Sequence, residues 1–247
     1  MKIAASLARI ANRLLNAFLV IVIASALLLS CYSIWDAARI YNSARPDKAL
    51  LSYKPTDSDP QSSSQMKKLS PDVVAWLTVD DTGIDYPVVQ GEDNSKYVNT
   101  NVYGEFSLSG SIFMDYRCDP QCADTFTLLY GHRMDGGLMF GDLERFLEKE
   151  FFDSHTDGML YIPDKAYRLR IFACLSVDAF DSVIFNPQDS MEPGGLAKLL
   201  DYINQNALHY REIDDTSDLR IIALSTCSDT ATNGRTVVFA SLSEPAD

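Results

Sequence analysis

The strongest constraint on this chain is a run of 22 residues without a charge, Leu14–Trp35 (LLNAFLVIVIASALLLSCYSIW). About 20 apolar helical residues span a bilayer core, so this run predicts a membrane-crossing helix. Lys2, Arg9 and Arg13 precede it and Asp36 follows it. The first 35 residues carry +3, so the rest must carry −16 to give the net charge of −13. With basic residues kept inside, the N-terminus is expected in the cytoplasm and the acidic remainder outside the cell. Tyr32 and Trp35 stand where an interfacial aromatic belt is expected. Two other readings of the run remain. A cleaved signal peptide has a shorter apolar stretch and a small-residue cleavage site. A lipoprotein signal is the better rival, because Leu28-Leu29-Ser30-Cys31 loosely resembles a lipobox. The apolar run continues past Cys31, which favours an uncleaved anchor, and all three readings export the remainder.

The exported part is 36–247. Overall 47% of residues are hydrophobic, enough for a packed core and against wholesale disorder. An acidic chain with no basic stripe excludes nucleic acid as a natural partner. Three regions are expected: 1–35 as cytoplasmic stub and anchor, 36–70 as a short helix interrupted near Pro46 plus a polar linker at 55–65, and 71–247 as the folded domain. From Pro71 onward short apolar runs dominate. Val73–Val79 and Ile84–Gln90 flank the turn Asp80-Asp81-Thr82-Gly83 and predict a hairpin. Further strands are expected at 111–115, 125–130, 159–162, 167–177, 219–224 and 236–242. Helical spacing marks 138–152 and 194–208, the latter with Leu196, Leu199, Leu200 and Ile203 on one face. Many short strands with two inserted helices predict a mainly β fold, a closed or nearly closed barrel decorated by helices.

Few residues can carry chemistry. Of five cysteines, Cys31 lies in the apolar run and Cys174 inside the strand IFACLSV, where a buried inert thiol is expected. Cys118 and Cys122 are spaced C-x3-C; a local disulfide is one reading, and no further zinc ligands stand nearby. Cys227 closes the run Leu219–Leu224 plus Ser225-Thr226, at a strand end where a side chain emerges at a barrel rim. Arg235 opens the next strand. His132 also ends a strand, beside Asp135-Gly136-Gly137, while His155 and His209 are expected to be solvated. A cysteine–histidine pair supplies a nucleophile and a proton carrier for acyl transfer, and an arginine supplies fixed positive charge for an oxyanion. Asp81-Thr82-Gly83 matches the aspartic-protease tripeptide, but that chemistry needs a second carboxylate, and no second copy exists. Three scattered histidines without H-E-x-x-H speak against a catalytic zinc, and no cofactor is expected.

The blocks DVVAWLTVDDTGIDYPVVQ (72–90), GSIFMDYR (110–117), YGHRMDGGLMFGDL (130–143), LSTC (224–227) and Arg235 resemble, in order and spacing, a class B sortase. That family comprises membrane-anchored cysteine transpeptidases of Gram-positive bacteria. The resemblance covers about residues 71–242 and implies an eight-stranded sortase barrel with an N-terminal helix. It also implies a helix in the loop before the strand that carries the nucleophile, which distinguishes class B from class A. It implies Cys227 as nucleophile, with His132 and Arg235 as its partners. Asn94, Val98, Ser225 and Thr226 resemble positions that line the sorting-signal groove, and the insertion Ala179–Leu208 is expected to form one groove wall. The implied partners are a sorting-signal peptide, loosely of N-P-x-T-x type, and an amine of a cell-wall precursor or pilin. The motif departs from the family at Ala223, where a threonine is usual, and the loop from Cys227 to Arg235 is short. Two alternatives stand beside this reading: a secreted cysteine peptidase that hydrolyses the same thioester, and an anchored binding module with a degenerate site.

Overall fold

A computed structural model describes residues 2–56, 65–163, 165–213, 218–227 and 233–244, with Cys227 described by its backbone. The chain divides into two units, Met1–Asn42 and Ser43–Asp247. The first belongs to a single helix, α1 (Lys2–Ala44). It is long and apolar enough to cross a membrane, and none of its apolar span is buried. At 1.5 Å per residue the uncharged run alone covers about 33 Å, the thickness of a bilayer core. Tyr32 and Trp35 lie with ring centroids 6.0 Å apart near the end of that run. The expected interruption near Pro46 falls between α1 and the one-turn helix α2 (Lys48–Leu51), whose first turn is capped by Asp47 Oδ1 accepting from Leu50 N. Most of the expected linker, 57–64, lies outside the described residues.

In the second unit a short helix α3 (Met66–Leu69) leads into nine strands among the described residues. They are β1 (Val73–Val79), β2 (Asp85–Gln90), β3 (Ile112–Met114), β4 (Phe126–His132), β5 (Asp157–Ile162), β6 (Lys165–Asp178), β7 (His209–Tyr210), β8 (Arg220–Cys227) and β9 (Gly234–Ser243). Their order is β5-β1-β2-β3-β4-β8-β9-β6-β7, and β5 also pairs with β6. That extra pairing closes eight strands into the expected barrel. The fourteen-residue β6 makes closure feasible: one edge binds β9 along most of its length, while the other binds β5 early and the two-residue β7 later. β2–β3 and β4–β8 pair in parallel and the other pairs are antiparallel.

Strands of a one-sided sheet alternate in burial, but β1 does not, because both of its faces are covered. Leu77 and Val79 join the barrel core with Val88, Leu128, Ile222 and Phe239. Val73 and Trp76 join a second cluster with Met66, Val89, Tyr97 and Phe113, beneath Leu50, Tyr53 and Leu69. α2 and α3 therefore serve as a lid on the outer face of β1–β3. Trp76 is fully buried there and satisfies its indole N–H by donating to Asp85 Oδ1 at 2.7 Å.

The turn at 80–83 is a hairpin turn, as expected: Val79 N donates to Ile84 O, Thr82 Oγ1 donates to Val79 O, and Asp81 takes a positive φ of 58°. The region 138–152 departs from a continuous helix. It forms a 3-10 segment Gly141–Leu147, breaks at the extended Glu148, and resumes as α4 (Lys149–Ser154). The expected helix at 194–208 is α5 (Gly195–Asn206), which buries Leu199 and Ile203 and lies in sequence between β6 and β8.

Candidate active site

Three adjacent strands end in one row. The parallel register of β4 and β8 pairs His132 with Cys227. The antiparallel register of β8 and β9 pairs Arg220 with Leu242 through Ser225 with Val237. Continued by two residues, it sets Cys227 opposite Arg235. His132 and Cys227 are therefore paired side by side at one barrel rim, and Arg235 lies two residues before the last β9 pair, Val237 with Ser225. Two further bonds lock the β8–β9 junction: Thr236 N donates to Thr226 Oγ1 at 3.1 Å, and Arg235 Nη1 donates to Thr226 O at 3.3 Å. The guanidinium is thereby folded back toward β8, next to the end of the strand.

His132 is fixed from two directions. Its backbone carbonyl accepts from Phe140 N at 2.9 Å, and Phe140 is fully buried against β4. That approach requires Gly131, where a Cβ would stand 2.8 Å from the Phe140 ring. Its imidazole Nε2 lies 2.7 Å from the carbonyl oxygen of Val98. A carbonyl can only accept, so Nε2 carries the hydrogen of this bond.

Val98 thus enters the site through its backbone. Its position depends on segment 91–98, which is tied at several points. Lys96 Nζ and Tyr97 Oη both donate to Asp72 Oδ2, at 2.7 and 2.5 Å. Lys96, then Tyr97, holds the Asp72 carboxyl below its ordinary range. Asn94 spans the gap to the end of β3: its Nδ2 donates to Asp115 Oδ2 at 2.8 Å and its Oδ1 accepts from Tyr116 N at 3.0 Å.

The four expected groove residues therefore fare differently. Val98 reaches His132, and Asn94 stands in the same segment with its amide engaged by Asp115. Ser225 and Thr226 are buried, at 0% and 2% exposure: Thr226 Oγ1 accepts from Thr236 N across the β8–β9 junction, and Ser225 Oγ donates to Thr226 O. The tight strand pairing up to the rim buries them. Among the described residues no three His, Cys, Asp or Glu side chains gather as metal ligands would.

The remaining candidates are distributed as follows. Cys174 is fully buried, as expected. Cys118 and Cys122 are buried free thiols, which corrects the disulfide reading. Burial pushes all three thiols up to about 12, so none is a nucleophile at neutral pH. His155 and His209 are not the solvated residues expected. His155 stacks on Phe151 at 3.6 Å between centroids and its Nδ1 lies 2.9 Å from Phe151 O. His209 packs on Phe152, and its Nε2 lies 2.9 Å from Leu147 O. His155 packs within the 141–154 region, on a Phe151 carbonyl that also accepts from His155 N and Ser154 Oγ, whereas His209 ties β7 to that region. Asp229, two residues after Cys227 and a candidate to orient a partner group, lies outside the described residues.

Comparison with known proteins agrees with this architecture. Residues 77–243 match the family model described as the Sortase domain. Sortase B of Listeria monocytogenes is 34% identical over 162 residues, a match that takes in 66% of this chain and 65% of that protein. Sortase B of Staphylococcus aureus is 31% identical over 185 residues, 72% of each chain. Among solved structures, a Streptococcus pyogenes class B sortase involved in pilus biogenesis superposes with a TM-score of 0.67 at 43% identity, covering 73% of this chain and 97% of that one. A Staphylococcus aureus sortase B–substrate complex gives 0.72 at 26% identity, covering 87% and 99%. The eight-stranded barrel, the helix between β6 and β8 and these matches together establish that the chain belongs to the sortase family, in its class B.

Proposed function

We propose that this chain is a membrane-anchored cysteine transpeptidase that joins secreted proteins to an amine at the cell surface. The supporting observation is the row His132–Cys227–Arg235 across the ends of three adjacent strands. In this reaction the Cys227 thiolate attacks a peptide carbonyl in a C-terminal sorting signal. The C–N bond breaks, the leaving amine takes a proton from Nδ1 of the His132 imidazolium, and a thioester forms. The Arg235 guanidinium supplies positive charge as the carbonyl oxygen becomes an oxyanion. An amine of a cell-wall precursor or a pilin then attacks the thioester. It gives its proton to Nδ1, a new amide forms, and the thiolate is released. The sorting peptide, of N-P-x-T-x type, is read between segment 91–98 and the insertion that carries α5. The helix α1 keeps the N-terminus in the cytoplasm and the barrel outside, where these substrates are.

The test is mass spectrometry of the enzyme with sorting peptides, with and without an added amine. The expected result is a thioester on Cys227 that converts to ligated product when amine is present. Cys227→Ala should give neither. Turnover by that variant would refute the assignment. Hydrolysis with no ligation at any amine concentration would identify a peptidase.

A further inference from the structure

Asp115 follows β3 directly and is fully buried. Its carboxylate is surrounded by donors. Arg117 contributes its backbone N at 3.0 Å, Nε at 2.9 Å and Nη2 at 2.7 Å; Asn94 Nδ2 stands at 2.8 Å and the Tyr130 hydroxyl at 3.1 Å. Burial pushes this carboxyl up, but the Arg117 and Asn94 hydrogen bonds outweigh it and leave it below the ordinary carboxylate range. The same Arg117 reaches in the opposite direction. Nη1 donates to Asn186 Oδ1 at 3.0 Å and Nη2 to Phe185 O at 2.8 Å, both in the insertion between β6 and α5. The Phe185 ring in turn stacks on Tyr130 at 6.3 Å.

One ion pair, with Asp115 fully buried and Arg117 partly exposed, therefore meets three parts of the groove. Through Asn94 it holds segment 91–98, whose Val98 carbonyl fixes His132 Nε2. Through Tyr130 it holds β4 two residues before His132. Through Arg117 it holds the insertion. A buried charge pair is weak evidence for stability, and a simpler apolar contact would fill this space. A fork of five donors on one planar group is instead suited to fixing the angles between several elements at once.

We propose that Asp115 and Arg117 are positioning residues that couple the insertion at Phe185–Asn186 to the orientation and tautomer of His132, through Asn94 and the Val98 carbonyl. A change in how the insertion sits is then felt at the proton-carrying nitrogen, without either residue touching the reacting atoms. The functional part of this inference rests on the transpeptidase reading, with His132 as proton carrier; the structural coupling does not.

The chain has only three histidines, so side-chain ¹⁵N NMR of the folded protein reports His132 directly, with His155 and His209 as internal references. Spectra are recorded at an alkaline pH chosen so that the three imidazole signals no longer change with pH. Wild type should show a protonated Nε2 and an unprotonated Nδ1 at His132. Arg117→Ala and Asn186→Ala, which cut the tie to the insertion while leaving Asp115 in place, should move His132 toward a mixture of tautomers. His155 and His209 should stay unchanged. Acyl-enzyme formation should fall about tenfold in kcat with a smaller change in KM, and Arg117→Lys should recover only part of it. A folded Arg117→Ala variant with the wild-type His132 spectrum overturns the coupling. His132→Ala separates the two claims: if it still forms the thioester, the catalytic reading fails, whereas the NMR result judges the coupling regardless of activity.

Discussion

The Val98 carbonyl can be displaced by a single methyl group. Gly110 lies behind it with φ +55°, and a Cβ there would stand 2.4 Å from Val98 O and 2.6 Å from Tyr97 O. Restoring ordinary contact at 3.4 Å requires a shift of about 1 Å in a carbonyl that holds the His132 ring at 2.7 Å. A shift of that size breaks or bends the bond, and misplacement of a reacting group by 1 Å costs about 100-fold in rate. Gly110→Ala also carries the backbone penalty of a left-handed residue, about 1–2 kcal/mol. Gly104 separates the two effects. It lies in the same loop with φ +83°, and nothing stands within 4 Å of its Cβ position. Gly104→Ala should therefore lose similar stability and keep its activity, while Gly110→Ala should lose about 100-fold in the rate of thioester formation. The assay is single-turnover acylation by a sorting peptide, followed by mass, with urea denaturation to compare stability. If Gly110→Ala is folded and acylates within about twofold of Gly104→Ala, the carbonyl does not hold the histidine in its working orientation.

Three further outcomes follow from the same geometry. The Asp115 carboxyl titrates below its ordinary value of 3.8, so its stabilisation is complete above that value and is lost as pH falls through the lowered pKa. Asp115→Asn should be less stable than wild type near neutrality, and in urea titrations the gap should begin to narrow only as pH falls below 3.8; a gap independent of pH would contradict this. Because burial pushes the thiols of Cys118, Cys122 and Cys174 up to about 12, a maleimide at pH 7 should leave all three unlabelled in the native protein and label them in urea, as read by peptide mapping. His155→Ala should lower stability by about 1–2 kcal/mol through loss of the Phe151 stack, with acylation changed less than twofold; a large loss of activity would move the proton-carrying role away from His132.

What could be read from the sequence, and what could not, divides along a physical line. β1, β2, β8 and β9 were legible because each is a run of buried apolar residues bounded by turn residues, a pattern set by the chain's own neighbours. Cys227, His132 and Arg235 were legible as strand-end residues because strand ends follow from the same pattern. The two-residue β7 and the break at Glu148 were not, since neither depends on local sequence: β7 exists only because β6 overhangs the barrel on that edge. The irregular 133–148 region is shaped by its approach to β4, where Gly131 admits the Phe140 ring, and by a tight return at Gly141, where a Cβ would meet Met134 O at 2.0 Å. Helical spacing in 138–152 reports that one face is apolar, and a 3-10 coil wrapped on a barrel satisfies that requirement as well as an α-helix does. Burial of Ser225 and Thr226 has the same kind of cause. Ser225 is covered by its pairing with Val237, and Thr226 by the bond its Oγ1 accepts from Thr236 N.

Asp115 and Arg117 show where sequence reading stops. The signal was present: an apolar triplet, IFM, runs straight into an acid and, two residues later, an arginine. Charges that close to a buried strand are more often a solvated turn, and nothing in the sequence pairs them with Asn94, twenty-one residues earlier, or with Asn186, sixty-nine residues after Arg117. Those partners meet only because β2 and β3 run parallel, which needs a long crossover and returns segment 91–98 to the end of β3. The parallel pair β4–β8 likewise needs a long connection, and the insertion lies within it. The two parallel pairings supply the loops that carry the histidine's carbonyl partner and the insertion wall. The ion pair stands where it reaches both. In this fold the placement of His132, Cys227 and Arg235 at strand ends is a product of strand register, whereas the loops around them are fastened to each other by the Asp115–Arg117 pair.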